Sequence, residues 1–198
     1  MARRERRLRE SALIDVSSEK DPAAAVALAR ELLDTGRLPE ETTRAELLRQ
    51  MGRMLRAAGD LEQAEAALRE AVLDGGATHG DPRIPLADVV ARRGDRPACD
   101  VLLAEIWRER PTDPWVYHEV AEVLRLLGDT TTALRWANTG AFRLIRLDEE
   151  LPEEALALLA SRYQLRLEVG FTEDEYDLLA AEWLAEDDGY DDADWADD

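Results

Sequence analysis

Apolar and polar residues alternate with a helical period over most of the chain, most clearly in residues 44–76. Leu48, Met51, Gly52 and Leu55 fall at positions i, i+3, i+4 and i+7, which places them on one side of a helix. The small Gly52 within this stripe allows a second helix to approach closely. The first half of the segment therefore predicts a helix with one buried side.

A second stripe follows a Gly-Asp pair in the same segment. Asp60 stands where a side chain caps the first helical turn, and Gln63 lies three positions on, as in a capping box. The apolar positions that follow have the same helical spacing: Leu61, Ala64, Leu68 and Ala71. The segment thus predicts two helices joined by a tight turn.

The helix-turn-helix pattern returns twice along the chain. Its turns are marked by Gly59-Asp60, Gly94-Asp95 and Gly128-Asp129, which are 35 and 34 residues apart. A period of this length indicates a stacked array, in which each helix pair buries one face against the next. No run of β-branched residues suggests a strand, so we expect an all-α fold.

These units resemble the tetratricopeptide repeat (TPR), which has small residues at fixed positions, a Gly-Asp turn and a closing proline. The matching residues are Gly52, Gly59-Asp60, Ala64 and Ala71, then Ala87, Gly94-Asp95 and Pro111, then Ala121, Gly128-Asp129 and Ala133. Cys99, Ile106 and Gly140 stand where the repeat usually has alanine. The resemblance implies a TPR-like α-solenoid of antiparallel helix pairs over residues 21–147, with one degenerate unit and three further units.

The resemblance also implies a function and a site. Proteins of this family are non-enzymatic scaffolds or adaptors that bind a peptide or helix of a partner in a concave groove. The first helix of each pair lines that groove. The residues we expect to contact a partner are Arg49, Arg53, Arg56, Ile84, Arg92, Trp115, His118 and Arg125.

The arginines suggest what kind of partner would fit. Arg49, Arg53 and Arg56 lie on one helical face, where their guanidinium groups could bind carboxylates through charge-assisted hydrogen bonds. Alternatively these side chains are solvated, since Asp88 and Arg92 are spaced to pair within one helix. His118 is either a ligand contact or a solvated surface residue.

The ends of the chain carry most of its charge asymmetry. Residues 1–20 are arginine-rich and form either a basic arm or a capping helix. In residues 148–185 we expect two capping helices, the second opened by a capping box of Thr172 and Glu175. Residues 186–198 form an acidic tail that we expect to be disordered.

Net charge is −19, and the segment from Asp148 onward holds 19 acids against two arginines. We hypothesise that the tail occupies the arginine-bearing groove; the alternative is an acidic tail that keeps the protein soluble. A rival function is a nucleic-acid-linked or DNA-mimicking regulator. In it Arg3 to Arg9 would contact phosphate, or the tail would mimic phosphate.

Catalytic and metal-binding signatures are not found in the sequence. Cys99 is the single cysteine and is expected to be a buried, inert thiol, while His79 and His118 give no metal-ligand spacing. Neither a phosphate-binding loop nor a dinucleotide fingerprint occurs. We therefore expect no enzyme activity and no cofactor. Without a segment long and apolar enough for a signal peptide or membrane helix, we expect a cytoplasmic protein of open oligomeric state.

Overall fold

The structure, a computed structural model, describes residues 22–38, 42–147 and 150–191. This part of the chain contains nine helices and no strand, which confirms the predicted all-α, TPR-like solenoid class. The helices are α1 (Pro22–Thr35), α2 (Arg44–Ala57), α3 (Leu61–Asp74), α4 (Arg83–Arg92), α5 (Arg96–Glu109), α6 (Pro114–Leu126), α7 (Thr130–Leu144), α8 (Glu153–Glu168) and α9 (Glu175–Asp191).

The helices fall into two compact units. Unit 1 extends to Ile106 and unit 2 begins at Trp107, within α5. In unit 1, α2 packs against α1 and α3, and α3 packs against α4. In unit 2, α6 and α7 form a pair, α8 packs on both of them, and α9 packs on α8.

The three Gly-Asp turns have the same backbone geometry. Each glycine is left-handed, with φ of 83°, 90° and 79° at Gly59, Gly94 and Gly128. The N–H of the following aspartate donates to the carbonyl oxygen five residues earlier, over 2.9 Å in every case. Its carboxylate accepts the N–H three residues on, at 3.1, 3.0 and 3.2 Å, and so caps the next helix. The repeat seen in the sequence is therefore a repeat of hydrogen bonds.

Close approach of helices depends on the small residues at the repeat positions. A Cβ on Gly52 would lie 2.5 Å from Cγ of Leu68, so α2 and α3 have no room for one. In unit 2 a Cβ on Gly140 would lie 2.6 Å from Cγ of Tyr117. The ring of Tyr117 fills the space of the alanine methyl that the repeat usually carries, which explains glycine at this position. Cys99 is fully buried.

The α8–α9 hairpin repeats the turn without its aspartate. Gly170 has φ of 76°, and the N–H of Phe171 donates to the carbonyl of Arg166 over 3.0 Å. The predicted capping box of Thr172 and Glu175 is wrong. Asp174 caps α9 instead, because its carboxylate accepts the N–H of Asp177 (3.2 Å), whose own carboxylate accepts the N–H of Asp174 (3.0 Å).

The last helix is longer than we expected. It continues to Asp191, so residues 186–191, which we assigned to a disordered tail, are helical. No proline interrupts this stretch, and extending an existing helix adds a hydrogen bond for each residue fixed. The predictions for residues 1–20 and for the rest of the acidic tail, residues 192–198, lie outside the described residues.

Candidate functional site

Two arginines on the predicted groove positions of unit 1 share one buried carboxylate. Nη1 of Arg56, on α2, lies 2.6 Å from Oδ2 of Asp88, and Nε of Arg92, on α4, lies 2.7 Å from Oδ1. Asp88 is fully buried, whereas the side chains of Arg56 and Arg92 are 31% and 42% exposed. The carboxylate thus fixes two guanidinium groups from two helices at one surface.

This cluster has an unbalanced charge. Two cations meet a single anion, so one positive charge remains at the surface. Each guanidinium carries five N–H groups, and the contacts with Asp88 use one nitrogen of each. The cluster can therefore donate two parallel hydrogen bonds to a further carboxylate while its contacts with Asp88 stay in place.

Arg49, two turns earlier on α2, lies in a different environment. Its Nε and Nη2 donate to the two carboxylate oxygens of Glu46 at 2.9 and 3.0 Å, and both side chains are almost completely buried. Gln50 and the N–H of His79 also donate to Glu46, at 2.7 and 2.8 Å. Burial disfavours the ionised carboxylate, but the hydrogen bonds from Arg49, Gln50 and His79 outweigh it and hold the pKa of Glu46 below its usual range.

In unit 2 the polar side chains of α6 meet a serine from α8. Nδ1 of His118 lies 2.8 Å from Oγ of Ser161, which donates to Oε1 of Glu122 over 2.9 Å. Arg125 donates to Oε2 of the same glutamate, also over 2.9 Å. The ring of Trp115 lies 4.7 Å from that of His118. Burial lowers the pKa of His118, although Glu122 partly opposes it, so the imidazole is neutral at pH 7.

Comparison with known proteins agrees with this architecture. The family model described as tetratricopeptide repeat matches residues 45–70, which lie in α2 and α3. The chain has a TPR-like fold, and one of its helix pairs matches the family model. None of the curated proteins matches it.

Two solved structures are similar to this chain. Both belong to a Podosopora anserina protein assigned as a kinesin light chain with nearly identical TPR-like repeats. One of them, a variant, is 16% identical, with a TM-score of 0.59 and coverage of 90% of this chain and 92% of that one. The other is 15% identical, with a TM-score of 0.56 and coverage of 94% and 97%. At these identities the likeness shows the fold.

Two of the groove positions implied by the TPR resemblance are buried in the structure. Arg49 is 4% exposed and is held by Glu46, because a residue three positions earlier lies on the same helical face. Ile84 is 2% exposed and belongs to the buried apolar side chains. Arg53 is half-buried. The structure thus brings Arg56 and Arg92 together and removes Arg49 and Ile84 from the candidate site.

The predicted groove residues of unit 2 also make contacts within the chain. His118 and Arg125 bond to Ser161 and Glu122, and Trp115 is half-buried. Ser161 was missed in the sequence because it lies 43 residues from His118 and belongs to no recognisable motif.

The contact between His118 and Ser161 does not form a nucleophile pair. Ser161 donates its proton to Glu122, so this hydroxyl is not directed at the imidazole as its base. Ser161 is also 4% exposed. Within the described ranges, no three His, Cys, Asp or Glu side chains could hold a metal ion, and none of the helices is long and apolar enough to cross a bilayer.

Proposed function

We propose that the chain is a non-enzymatic interaction module that binds an acidic peptide or helix of a partner protein on the face of α2 and α4. TPR folds in general mediate protein-protein interactions, and that coarse function follows from the repeats themselves. The single observation that carries the finer proposal is the pair of arginines, Arg56 and Arg92, fixed by Asp88.

The arrangement favours a carboxylate as the group recognised. A guanidinium that already donates to a buried carboxylate loses less side-chain freedom when a ligand arrives, so more of the interaction energy appears as affinity. The fork of N–H groups matches the two oxygens of a carboxylate. A partner segment with closely spaced aspartate or glutamate side chains, or a chain terminus, fits these donors.

The partner can be sought by affinity capture from the native cell extract. We would compare the full chain with an Arg56→Ala, Arg92→Ala double variant. Replacing Arg49 would be uninformative, because it would leave the buried carboxylate of Glu46 without its main partner. A competing acidic peptide, such as hexaglutamate, tests whether carboxylates are the recognised group.

A matched control exists within the same unit. Arg69 and Arg93 both contact Glu65, so the Arg69→Ala, Arg93→Ala variant removes the same charge from a cluster of the same composition. We expect a defined protein to be retained by the full chain and by this control and lost with the Arg56, Arg92 variant. Equal loss with both variants, or retention by both, would overturn the proposed face.

The remaining sequence-based hypotheses rest on residues outside those described. These are the nucleic-acid-linked function of the basic N-terminus and the occupation of the groove by the acidic tail. Both stay predictions. In the capture experiment, retention of nucleic acid in place of a protein would favour the first of them over the proposal made here.

A further inference from the structure

The outer face of α7 is a basic surface on a strongly acidic protein. Residues 130–147 contain three arginines and no acid, whereas the whole chain has a net charge of −19. Among the described residues, the guanidinium of Arg135 lies over the ring of Trp107, 5.0 Å from its centroid, and contacts no carboxylate. Arg143 donates to the hydroxyl of Tyr117 and to a backbone carbonyl. This face therefore offers positive charge that the described residues leave uncompensated.

An apolar hollow lies beside these cations, entirely within unit 2. It has a volume of about 500 Å³, and its lining includes Leu134, Arg135, Asn138, Phe142, Val169 and Phe171. Phe142 and Phe171 are 56% and 54% exposed, which is unusual for two phenylalanines at one site. No acidic residue lines the hollow.

The aromatic walls of the hollow are held in position by two arginines of α8. Arg162 lies over the ring of Phe142 and Arg166 over that of Phe171, at 5.3 and 5.2 Å. Asn138 accepts from Nε of Arg162 over 2.8 Å through its amide oxygen, which leaves its N–H groups for another acceptor. The hollow thus combines fixed aromatic walls with donors from Asn138 and Arg135. That chemistry fits a bulky apolar side chain flanked by carboxylates.

We propose that the hollow binds the C-terminal segment, residues 192–198, of a second copy of the chain. This segment reads DADWADD and has one aromatic residue, Trp195, among aspartates. Its indole matches the aromatic walls, and its carboxylates match the uncompensated cations of α7. The site is separate from Arg56 and Arg92, so this inference does not depend on the proposed function.

Geometry assigns the segment to a second copy. Tyr176, at the start of α9, contacts Phe142 at a ring distance of 5.4 Å, so this end of α9 lies at the hollow. The helix then runs 17 residues to Asp191, about 25 Å at 1.5 Å per residue. Trp195 is four residues further on and can reach back at most about 14 Å. An intact α9 therefore favours insertion of the segment into a second copy over insertion into the hollow of its own chain.

The contact proposed is heterologous, since a tail on one copy meets a hollow on another. Sedimentation velocity of the full chain over a range of concentrations should therefore show reversible self-association. We expect Trp195→Ala, which removes the indole, and Arg135→Glu, which reverses the charge at the hollow, each to weaken association at least tenfold. Arg69→Glu, an exposed substitution in unit 1, is the control and should leave association unchanged.

Complementation gives the sharper test. The Trp195→Ala variant keeps an intact hollow, and the Arg135→Glu variant keeps an intact tail. An equimolar mixture of the two should form a one-to-one dimer that neither variant forms alone and that grows no further. A chain that is monomeric at all concentrations, association that neither substitution weakens, or a mixture that stays monomeric would overturn the proposal. So would binding of the tail within its own copy, seen as concentration-independent quenching of Trp195.

Discussion

The guanidinium of Arg162 holds the carboxylate of Asp174 through two hydrogen bonds, Nη1 to Oδ1 at 3.0 Å and Nη2 to Oδ2 at 2.5 Å. The same guanidinium contacts Asp177, which also accepts from Nε of Arg166 over 2.7 Å. Two cations thus balance two anions between α8 and α9. The balance matters because Arg162 and Asp177 are fully buried, and buried charges are tolerated when they are paired.

Removing Arg162 should strongly destabilise unit 2. Arg162→Ala leaves the buried carboxylate of Asp177 with one of its two arginines and takes the hydrogen-bond donor from Asn138. Breaking a buried pair in this way costs about 3–5 kcal/mol, which urea denaturation would measure. Gln164→Ala, an exposed change on the same helix, should stay within about 0.5 kcal/mol. Similar losses in the two variants would show that the buried pairs contribute little.

The contact with Arg162 also predicts a pH dependence. Its hydrogen bonds lower the pKa of Asp174 from 3.8 to about 2, against the opposing effect of burial. Because the folded pKa is the lower one, the stabilisation is fully present above pH about 4 and is lost as the pH falls to about 2. Asp174→Asn should therefore be less stable than the native chain at pH 7.

The difference in stability between the native chain and Asp174→Asn should disappear at low pH. Urea midpoints measured at pH 7, 4, 3 and 2 would follow it, with Glu182→Gln, an exposed carboxylate on the same helix, as the control. A gap between Asp174→Asn and the native chain that persists unchanged at pH 2 would contradict the assignment of this pairing.

A methyl group at position 140 should disturb the packing of α6 on α7. Gly140→Ala would place a Cβ 2.6 Å from Cγ of Tyr117 and 2.9 Å from Cδ2 of Leu158, so a ring and a core leucine must move. Overpacking of this kind costs about 1–3 kcal/mol, although alanine is the better helix former. Thermal denaturation would show the loss, and Thr131→Ala on the same helix is the control. A Gly140→Ala chain more stable than the native one would mean that the ring of Tyr117 can move aside at little cost.

Local features of the fold were predictable and long-range contacts were not. The turn at Gly59-Asp60 could be predicted because a glycine with positive φ and an aspartate cap act within a few residues. The departure at Gly140 could be seen in the sequence, but its cause, the ring of Tyr117, is 23 positions away. Ser161 reaches His118 from another helix pair and has no local signal.

The candidate site shows the same division. The pairing of Asp88 with Arg92 was predicted as a four-residue spacing within one helix, and the structure has it. That Arg56 joins the same carboxylate from α2 depends on how two helices stack, which no spacing within one helix specifies. The position of Arg49 in the repeat suggested a groove contact. In the structure Arg49 is buried together with Glu46, to which it donates a hydrogen bond.

The site also yields a test that separates the orientation of the arginines from their charge. Asp88→Asn removes the buried anion and so raises the net positive charge around Arg56 and Arg92. If charge alone determined binding, an acidic partner would bind this variant more tightly. We predict the reverse, because guanidinium groups without their shared carboxylate can turn into solvent and must be ordered again on binding. A three- to tenfold weaker affinity for the captured partner, measured by calorimetry on chains with native helix content, is the expected result. Tighter binding by Asp88→Asn would show that Asp88 competes with the ligand and does not position the arginines for it.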